Sequence, residues 1–283
     1  MQESDILNPS LTHLQRRQIA KEWLRRFQRE KLPELRREIL HKSRFYDDVT
    51  IVAYSFPKDA HDFDFIEFAI RYSWQWLGKL KTVIIADRMT ERLEKFKVST
   101  QGGVDVQIEP SLIPGDIMSM SSDCIERLYR RFNTPYCLIV QDDGFPLNRN
   151  LGDFLGKYDF IGAPTCRDVP AQYLVDIFRC SCLNGGFSLR SKKICEAVSE
   201  QWRFFKHFVR IGSEAHAEDV FYTKTACLNL SYRIRFRFAP CKVARLFSMP
   251  DFDGVVDIRS FRGTVFGSHG HTAMWQMLSS PTI

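Results

Sequence analysis

Short runs of apolar and β-branched residues alternate with amphipathic segments through the middle of the chain. The apolar runs lie at residues 49–56, 81–87, 104–110 and 136–140. The segments between them, such as residues 64–77, place apolar side chains at helical spacing. This alternation predicts an α/β fold of βαβ units, with a mostly parallel sheet and helices on both faces. Ligands of such sheets bind beyond the carboxyl ends of the strands.

The first 47 residues show a different pattern. Apolar residues recur at helical spacing around Pro33, and residues 13–44 contain eleven Lys or Arg residues against four glutamates. We expect a basic amphipathic helical arm at residues 1–47, interrupted near Pro33, and one domain at residues 48–283. The arm either packs one stripe on the domain, or contacts a partner or anionic lipid and gives the protein a peripheral membrane contact.

Composition and charge narrow the class of protein. The chain has 283 residues, 44% of them hydrophobic, and a formal net charge of +6, which is typical of a folded soluble protein. It has no run of about 18 apolar residues and no apolar core of a signal peptide, so we expect a cytoplasmic protein. The eight cysteines are scattered, which favours free thiols over disulfides or a metal site. No motif that reads nucleic acid is present, so nucleic acid is not an expected partner.

Two adjacent carboxylates follow the buried run YCLIV. Asp142 and Asp143 come just after this strand, and Gly144 lets the backbone turn. Packed carboxylates repel each other unless a cation lies beside them. Oxygen ligands suit Mg²⁺ or Mn²⁺, ions that keep positions open for substrate phosphates. The alternative is that one aspartate caps the turn while the other is solvated.

Six motifs in order carry a resemblance to a known family. They are QDDGF (141–145), YDFIGAP (158–164), NGGFSLRS (184–191), EDVFY (218–222), A-x-x-FS (244–248) and FGSHG (266–270). Each is common alone, but the ordered set resembles a bacterial family of glycosyltransferase-like proteins catalogued as a domain of unknown function. The resemblance covers roughly residues 49–271 and leaves the arm outside. It implies a GT-A-like, Rossmann-like fold with a mostly parallel sheet.

The resemblance also implies a metal site. In GT-A enzymes an acidic motif after a strand holds a divalent metal that bridges the two phosphates of a nucleotide-sugar. Asp143 is then a ligand of Mn²⁺ or Mg²⁺, and Asp142 contacts the metal or a ribose. The family more often has a single acidic residue in this motif, which matches Asp143. His269 would return to the site on a flexible glycine-bounded loop as an imidazole ligand, with His271 as its substitute.

The resemblance implies that NGGFSLRS binds the substrate and that EDVFY activates it. Asn184, Gly185 and Gly186 would form a turn that holds the donor sugar, although N-G is also a hairpin signal. Arg190 would reach a phosphate or the acceptor.

The pair Glu218 and Asp219 opens a predicted helix. The simplest role for this pair is favourable interaction with the helix dipole. By the resemblance, Asp219 is instead the general base that deprotonates the acceptor hydroxyl, with Glu218 as the competing candidate.

The resemblance also implies contacts with the nucleotide at the ends of the first two strands. A GT-A fold contacts the nucleotide base and ribose at these positions, which are Tyr54, Ser55 and Asp87 in this chain.

The expected activity is transfer of a hexose from a nucleotide-sugar. The resemblance implies a UDP-linked donor, a glycan or glycolipid acceptor, inversion at the anomeric carbon, and a place in surface polysaccharide or glycolipid biosynthesis. One alternative is an inactive module that binds a nucleotide-sugar or glycan. The other is a metal-dependent phosphate hydrolase, which also places acidic residues at strand ends.

Overall fold

Apolar runs in the sequence become the strands of a central sheet. The computed structural model describes residues 10–38, 46–56, 62–164, 183–208, 217–251, 259–261 and 263–279. Its strands are β1 (Val49–Ser55), β2 (Lys81–Ala86), β3 (Val104–Ile108), β4 (Tyr136–Val140), β5 (Gly144–Pro146), β6 (Phe160–Pro164), β7 (Leu183–Ser191), β8 (Ser248–Pro250) and β9 (Gly267–His269). The larger sheet has six strands in the order β3-β2-β1-β4-β7-β6.

The strand directions bring the candidate residues to one edge of this sheet. Strands β3, β2, β1 and β4 run parallel, whereas β7 is antiparallel to both β4 and β6. Every residue of β1 is buried, as expected when helices cover both faces of a parallel sheet. The carboxyl ends of β1, β2 and β4 therefore lie at the same edge as the amino end of β7.

Helices cover the sheet. They are α1 (His13–Arg37), α2 (Asp62–Leu77), α3 (Glu91–Ser99), α4 (Ile117–Glu126), α5 (Leu128–Arg131), α6 (Lys192–Phe205), α7 (Glu218–Val220), α8 (Leu230–Arg235), α9 (Cys241–Phe247) and α10 (His271–Ser279). Asp116 caps α4 by accepting hydrogen bonds from the amides of Met118 and Ser119. No helix in the described part of the chain combines the length and apolar character needed to cross a membrane.

A small second sheet stands beside the edge where the candidate residues lie. It contains β5, β9 and β8 in that order. Strand β5 pairs antiparallel with β9, so that Gly144 lies opposite His269, and β8 pairs parallel with β9. The FGSHG motif was expected to be a flexible loop, but it forms β9 and the turn into α10. The expectation is wrong because pairing with β5 and β8 orders a segment too short to be recognised as a strand.

Helix α1 packs against α2 and α10. It begins with a capping box, in which Thr12 and Gln15 satisfy each other's backbone amides. The expected interruption near Pro33 is wrong, because the helix continues to Arg37. Leu24, Leu32 and Leu35 are buried in a cluster with Phe68, Ala69, Phe145, Met274 and Leu278. This packing offsets the roughly 3 kcal/mol that an internal proline costs a helix.

The cysteines follow the sequence expectation only in part. Cys124, Cys137, Cys195 and Cys227 are free thiols. Cys241, in contrast, is disulfide-bonded. The expectation of free thiols is wrong for this residue, because spacing along the chain does not fix which thiols meet in space.

Candidate functional site

The acidic motif forms a tight turn between β4 and β5. The amide of Gln141 donates to the carbonyl of Gly144 over 2.9 Å, and the amide of Gly144 donates back to the carbonyl of Gln141 over 3.2 Å. Asp142 and Asp143 are the two central residues of this turn. The turn predicted at Gly144 is therefore present, and it carries both carboxylates just beyond the carboxyl end of β4.

Two histidines stand on either side of the Asp143 carboxylate. His269 Nε2 lies 3.6 Å from Asp143 Oδ1, and His271 Nδ1 lies 3.1 Å from Asp143 Oδ2. Burial acts to raise the pKa of Asp143, but His269, His271 and Arg17 outweigh it and hold this pKa below its usual value. The Asp143 side chain is therefore charged at neutral pH. Both histidines named as candidate metal ligands therefore lie beside Asp143, and their roles toward a metal stay predictions.

His271 is the better buried of the two histidines. Its Nδ1 makes no hydrogen bond in the described part of the chain, although Asp143 Oδ2 is near. Burial lowers the pKa of His271 against the opposing influence of Asp143, so the ring favours the neutral form that binds metals. A buried ring nitrogen without a hydrogen bond beside a carboxylate oxygen is an arrangement that a shared ligand atom could complete.

Asp142 differs from its neighbour. Burial and the repulsion of Asp143 raise the pKa of Asp142 to about 7, against the opposing charges of Arg25 and Lys21. Its backbone carbonyl accepts a hydrogen bond of 2.6 Å from Gln28 Nε2 of α1. The first helix is therefore attached to the acidic turn itself.

The Asn-Gly-Gly segment belongs to strand β7. It was expected to be a turn, and this expectation is wrong, because β7 begins at Leu183 and neither glycine has positive φ. The Asn184 side chain accepts a 2.8 Å hydrogen bond from the amide of Gly186. The glycines are needed for space instead. A Cβ on Gly185 would overlap the Glu218 carboxylate, and a Cβ on Gly186 would overlap His269 and Gln141.

Arg190, near the end of β7, forms a buried ion pair with Glu218. Arg190 Nη2 lies 2.9 Å from Glu218 Oε1 and also donates to the Gly185 carbonyl over 3.1 Å. The guanidinium lies over the rings of Phe160 and Tyr222, at 4.9 and 4.7 Å from their centroids. The predicted contact of Arg190 with substrate stays a prediction, because the side chain is 0% exposed and its contacts are within the protein.

Glu218 has an unusual environment for a carboxyl group. Burial raises its pKa to about 7, and the charge of Asp219 adds to this while Arg190 opposes it. Oxygen Oε2 is buried without a hydrogen bond in the described residues. At neutral pH a large part of Glu218 is therefore protonated.

Asp219 is less buried than Glu218. Its Oδ1 accepts a 2.7 Å hydrogen bond from the amide of Val220. Burial raises the pKa of Asp219, while this amide, Arg190 and His269 act in the opposite direction. The predicted helix here is a short α-turn, followed by a π-helical turn at Phe221–Thr225. Such turns occur frequently at functional sites.

The side chains around Asp143 supply only part of the coordination that a metal ion needs. Among the described residues, no group of three His, Cys, Asp or Glu side chains could hold an ion by itself. Mg²⁺ and similar ions are commonly held by one or two protein carboxylates, with water and substrate phosphates completing the coordination. Asp143, with His269 or His271, fits that partial role, so the donor set is suited to an ion that substrate helps to hold.

The predicted nucleotide contacts lie at the ends of the neighbouring strands β1 and β2, where Ser55 pairs with Ala86, the residue before Asp87. Tyr54 is buried, and its hydroxyl donates to Asp123 Oδ2 over 2.8 Å. Ser55 is buried at the end of β1. Asp87 Oδ2 lies 3.3 Å from Arg88 Nη1. Their roles toward a nucleotide stay predictions.

Several site residues were not predicted from the sequence. Gln141 Oε1 lies 3.3 Å from His269 Nε2. Asp251 follows β8, accepts a 2.8 Å hydrogen bond from the amide of Ala273, and occupies the space that a Cβ on Gly270 would need. Gln28 belongs to α1. An acid just after a short apolar segment, as in SMPD, was a usable signal for Asp251, whereas nothing local marks Gln28.

Comparison with known proteins agrees with this fold. The solved structure of the apo-form glycosyltransferase GlyE from Streptococcus pneumoniae TIGR4 is similar over 77% of this chain and 53% of that chain, with a TM-score of 0.50 and 13% identity. The predicted fold class is confirmed as a mixed α/β fold resembling GT-A glycosyltransferase folds.

Two further solved structures are similar at lower scores. Mannosyltransferase PcManGT from Pyrobaculum calidifontis, in complex with GDP-Man and Mn²⁺, matches 78% of this chain and 63% of that chain, with a TM-score of 0.41 and 10% identity. S. aureus TarS 1–349 matches 64% and 56%, with a TM-score of 0.37 and 12% identity. The chain thus spans between about half and two thirds of the length of these structures.

The sequence comparison names the family. No curated protein matches the chain. The family described as "Protein of unknown function (DUF5672)" matches residues 118–264, which is 147 of the 283 residues. The chain therefore belongs to the DUF5672 family.

Proposed function

We propose that the protein is a metal-dependent glycosyltransferase that moves a hexose from a nucleotide-sugar to an acceptor hydroxyl. One observation carries the proposal. At the ligand-binding edge of a GT-A-like sheet, Gly186 adjoins His269, which approaches Asp143, while Gly185 adjoins Glu218 of the second acidic pair. Two adjacent positions of one strand therefore adjoin a candidate metal site on one face and the second acidic pair on the other, and the charge of His269 also acts on Asp219.

Asp143 and His269 would hold Mn²⁺ or Mg²⁺, with His271 as the alternative nitrogen ligand. When bound, the ion neutralises charge on the diphosphate as it leaves the sugar. Gln141 orients the His269 ring through its 3.3 Å contact with Nε2. The neighbouring Asp142, with its raised pKa, is suited to donate a hydrogen bond to a ribose or phosphate oxygen when protonated.

Asp219 would act as the general base. It would take the proton of the acceptor hydroxyl as that oxygen attacks the anomeric carbon, and the diphosphate would leave with the electron pair of the broken bond. This displacement inverts the anomeric configuration. Glu218 competes for the role, but its Oε1 is held by Arg190 and its burial favours the protonated form. The difference in burial supports Asp219.

The remaining assignments follow the layout of the sheet edge. Asn184, Gly185 and Gly186 would face the donor sugar, and the ends of β1 and β2, with Ser55 and Asp87, would face the nucleotide. A UDP-linked donor and a glycan or glycolipid acceptor, in surface polysaccharide or glycolipid biosynthesis, are the first to test. The basic face of α1 would give peripheral contact with a membrane.

The test measures nucleotide binding first. Thermal shift and calorimetry with UDP, GDP and their sugars, each with Mn²⁺, with Mg²⁺ or with chelator, should show metal-dependent stabilisation by one nucleotide family, because a ligand of the native state raises apparent stability. Asp143→Ala should abolish the metal-dependent binding. Asp219→Asn should keep binding and lose transfer by about 10²- to 10⁴-fold. A wild-type protein that binds no nucleotide under any metal condition would rule the proposal out.

A further inference from the structure

One face of α1 carries positive charges toward the acidic turn. Arg17, Lys21 and Arg25 are spaced four residues apart, so they lie along the same side of the helix. Gln28 lies on this side too, and its side chain reaches the carbonyl of Asp142 over 2.6 Å. The side of α1 that touches the candidate site is therefore also basic, and Arg17, Lys21 and Arg25 are called the stripe below.

The charges of this stripe reach the acidic groups of the site. The charge of Arg17 acts on Asp143 and Asp251, and the charge of Lys21 acts on Asp142. One ion pair between the stripe and these acids is long, with Arg17 Nε lying 4.0 Å from Asp251 Oδ2. The Arg17 side chain is 52% exposed, so it remains accessible to a ligand.

Acidic side chains of the candidate site and basic side chains of α1 lie close together at the acidic turn. Asp142, Asp143 and Asp251 provide carboxylates that attract a metal ion, whereas Arg17 and Lys21 would repel it. Cations beside a metal site are useful when the ligand is itself anionic, because phosphoryl groups are held by Lys or Arg together with the ion. A ligand that carries phosphate can bind both the metal ion held by the carboxylates and the cations of α1.

We propose that Arg17 and Lys21 of α1 bind a phosphate group of the substrate at the acidic turn. This inference rests on the proposed function, and it gives the basic segment a role inside the site. The phosphate belongs either to the nucleotide donor or to a phosphorylated acceptor. Both sources present the same oxyanions to the two cations.

The test compares two double variants of the full chain. Arg17→Ala/Lys21→Ala removes two of the three charges of the stripe, and Arg26→Ala/Arg37→Ala removes two exposed charges from the opposite side of the same helix. Calorimetry would measure Mn²⁺ alone, pyrophosphate, UDP and GDP with Mn²⁺, and glycerol 3-phosphate with the nucleotide at saturation. We expect the stripe variant to bind phosphate probes at least about tenfold more weakly, and the control variant to match the wild type.

The Mn²⁺ titration separates this role from simple loss of structure. Removing positive charge should leave Mn²⁺ affinity equal or tighter, because repulsion of the ion falls. Weaker binding of the nucleotides places the phosphate on the donor. Weaker binding of glycerol 3-phosphate alone places it on the acceptor.

The other outcomes are also decisive. Equal phosphate binding by both double variants overturns the inference and leaves the proposed function standing. Binding of pyrophosphate that depends on the stripe, in a protein that binds no nucleotide, keeps the inference and overturns the proposed function. A wild-type protein that binds none of the phosphate probes overturns both.

Discussion

Adjacent glycines at positions 185 and 186 let two side chains approach the same strand. Successive residues of a strand point to opposite faces, and here each face is filled by a neighbour, Glu218 on one and His269 on the other. The sequence pattern predicted a turn at the Asn-Gly-Gly segment, whereas the glycines lie in a strand and leave space for neighbouring side chains. Close approach depends on what packs against a residue, and the local pattern does not contain that information.

A methyl group at Gly186 tests the close approach. Gly186→Ala should displace His269 and weaken Mn²⁺ affinity about ten- to a hundredfold, because groups that orient metal ligands have effects of that size. Gly152→Ala is the control, since a Cβ there would meet Tyr46 at an ordinary contact distance of 3.6 Å. Calorimetric titration of Mn²⁺ would measure both. Equal affinity in the two variants would remove His269 from the metal site.

The raised pKa of Glu218 predicts a pH dependence of stability. A carboxyl whose pKa is about 7 in the folded protein and ordinarily 4.5 favours the folded state while it is protonated. Its contribution is full below about pH 4.5 and is lost as the pH rises to about 7. Wild type should therefore lose up to about 3 kcal/mol relative to Glu218→Gln across that window.

Urea denaturation at several pH values would measure this difference. Asp219→Asn provides the comparison: burial also raises the pKa of Asp219, but its carboxyl is less buried, so its difference should grow less over the same window. The Glu218→Gln difference should grow from low pH to neutral pH and then stay level. A constant difference across the window would mean that Glu218 ionises normally in the folded protein.

At the level of elements, the long strands were predictable and the contacts of α1 were not. Apolar runs of five or more residues gave β1, β2 and β4 within a residue or two, because a strand buried on both faces needs such a run. Strands β8 and β9 have only three residues each, and partners far along the chain order them. Amphipathic spacing identified α1, yet it could not say which surface its apolar stripe covers.

The apolar stripe of α1 should contribute measurably to stability. Leu24 is 1% exposed and lies in the cluster with Phe145 and Met274. Leu24→Ala should lower the free energy of unfolding by about 2–5 kcal/mol, the usual cost of such a cavity. Leu14→Ala, at a site 75% exposed, should cost little. Similar midpoints in urea for the two variants would show that α1 is not an integral part of the fold.

For the whole molecule, alternation of strands and helices was enough to predict the fold class. The position of Asp143 at a strand end was predictable from its motif, whereas the buried contact of Arg190 with Glu218 was not. The roles of both residues stay predictions. The division into an arm at residues 1–47 and a domain at residues 48–283 stays a prediction. The packing of α1 on α2 and α10 makes it directly testable.

Deletion of residues 1–47 is the test of that division. The deletion would expose Phe68 and Met274, which are 0% exposed in the full chain. We therefore expect a melting temperature many degrees lower, or aggregation, because large apolar patches promote association. An unchanged melting temperature would identify an independent arm. Liposome flotation should then compare Arg26→Ala/Arg37→Ala with wild type, since these substitutions leave the packed face intact.

The contact between α1 and α10 has a consequence for how the chain folds during synthesis. Ala20 of α1 packs against Trp275 of α10, so α1, which is synthesised early, can make this contact only after α10 has been synthesised. Until α10 emerges, the part of the apolar face of α1 that α10 covers stays exposed, and transiently exposed apolar surface of this kind promotes aggregation. His271, the first residue of α10, arrives with that cover. A nascent chain halted before this helix would thus hold neither a closed core nor a complete site.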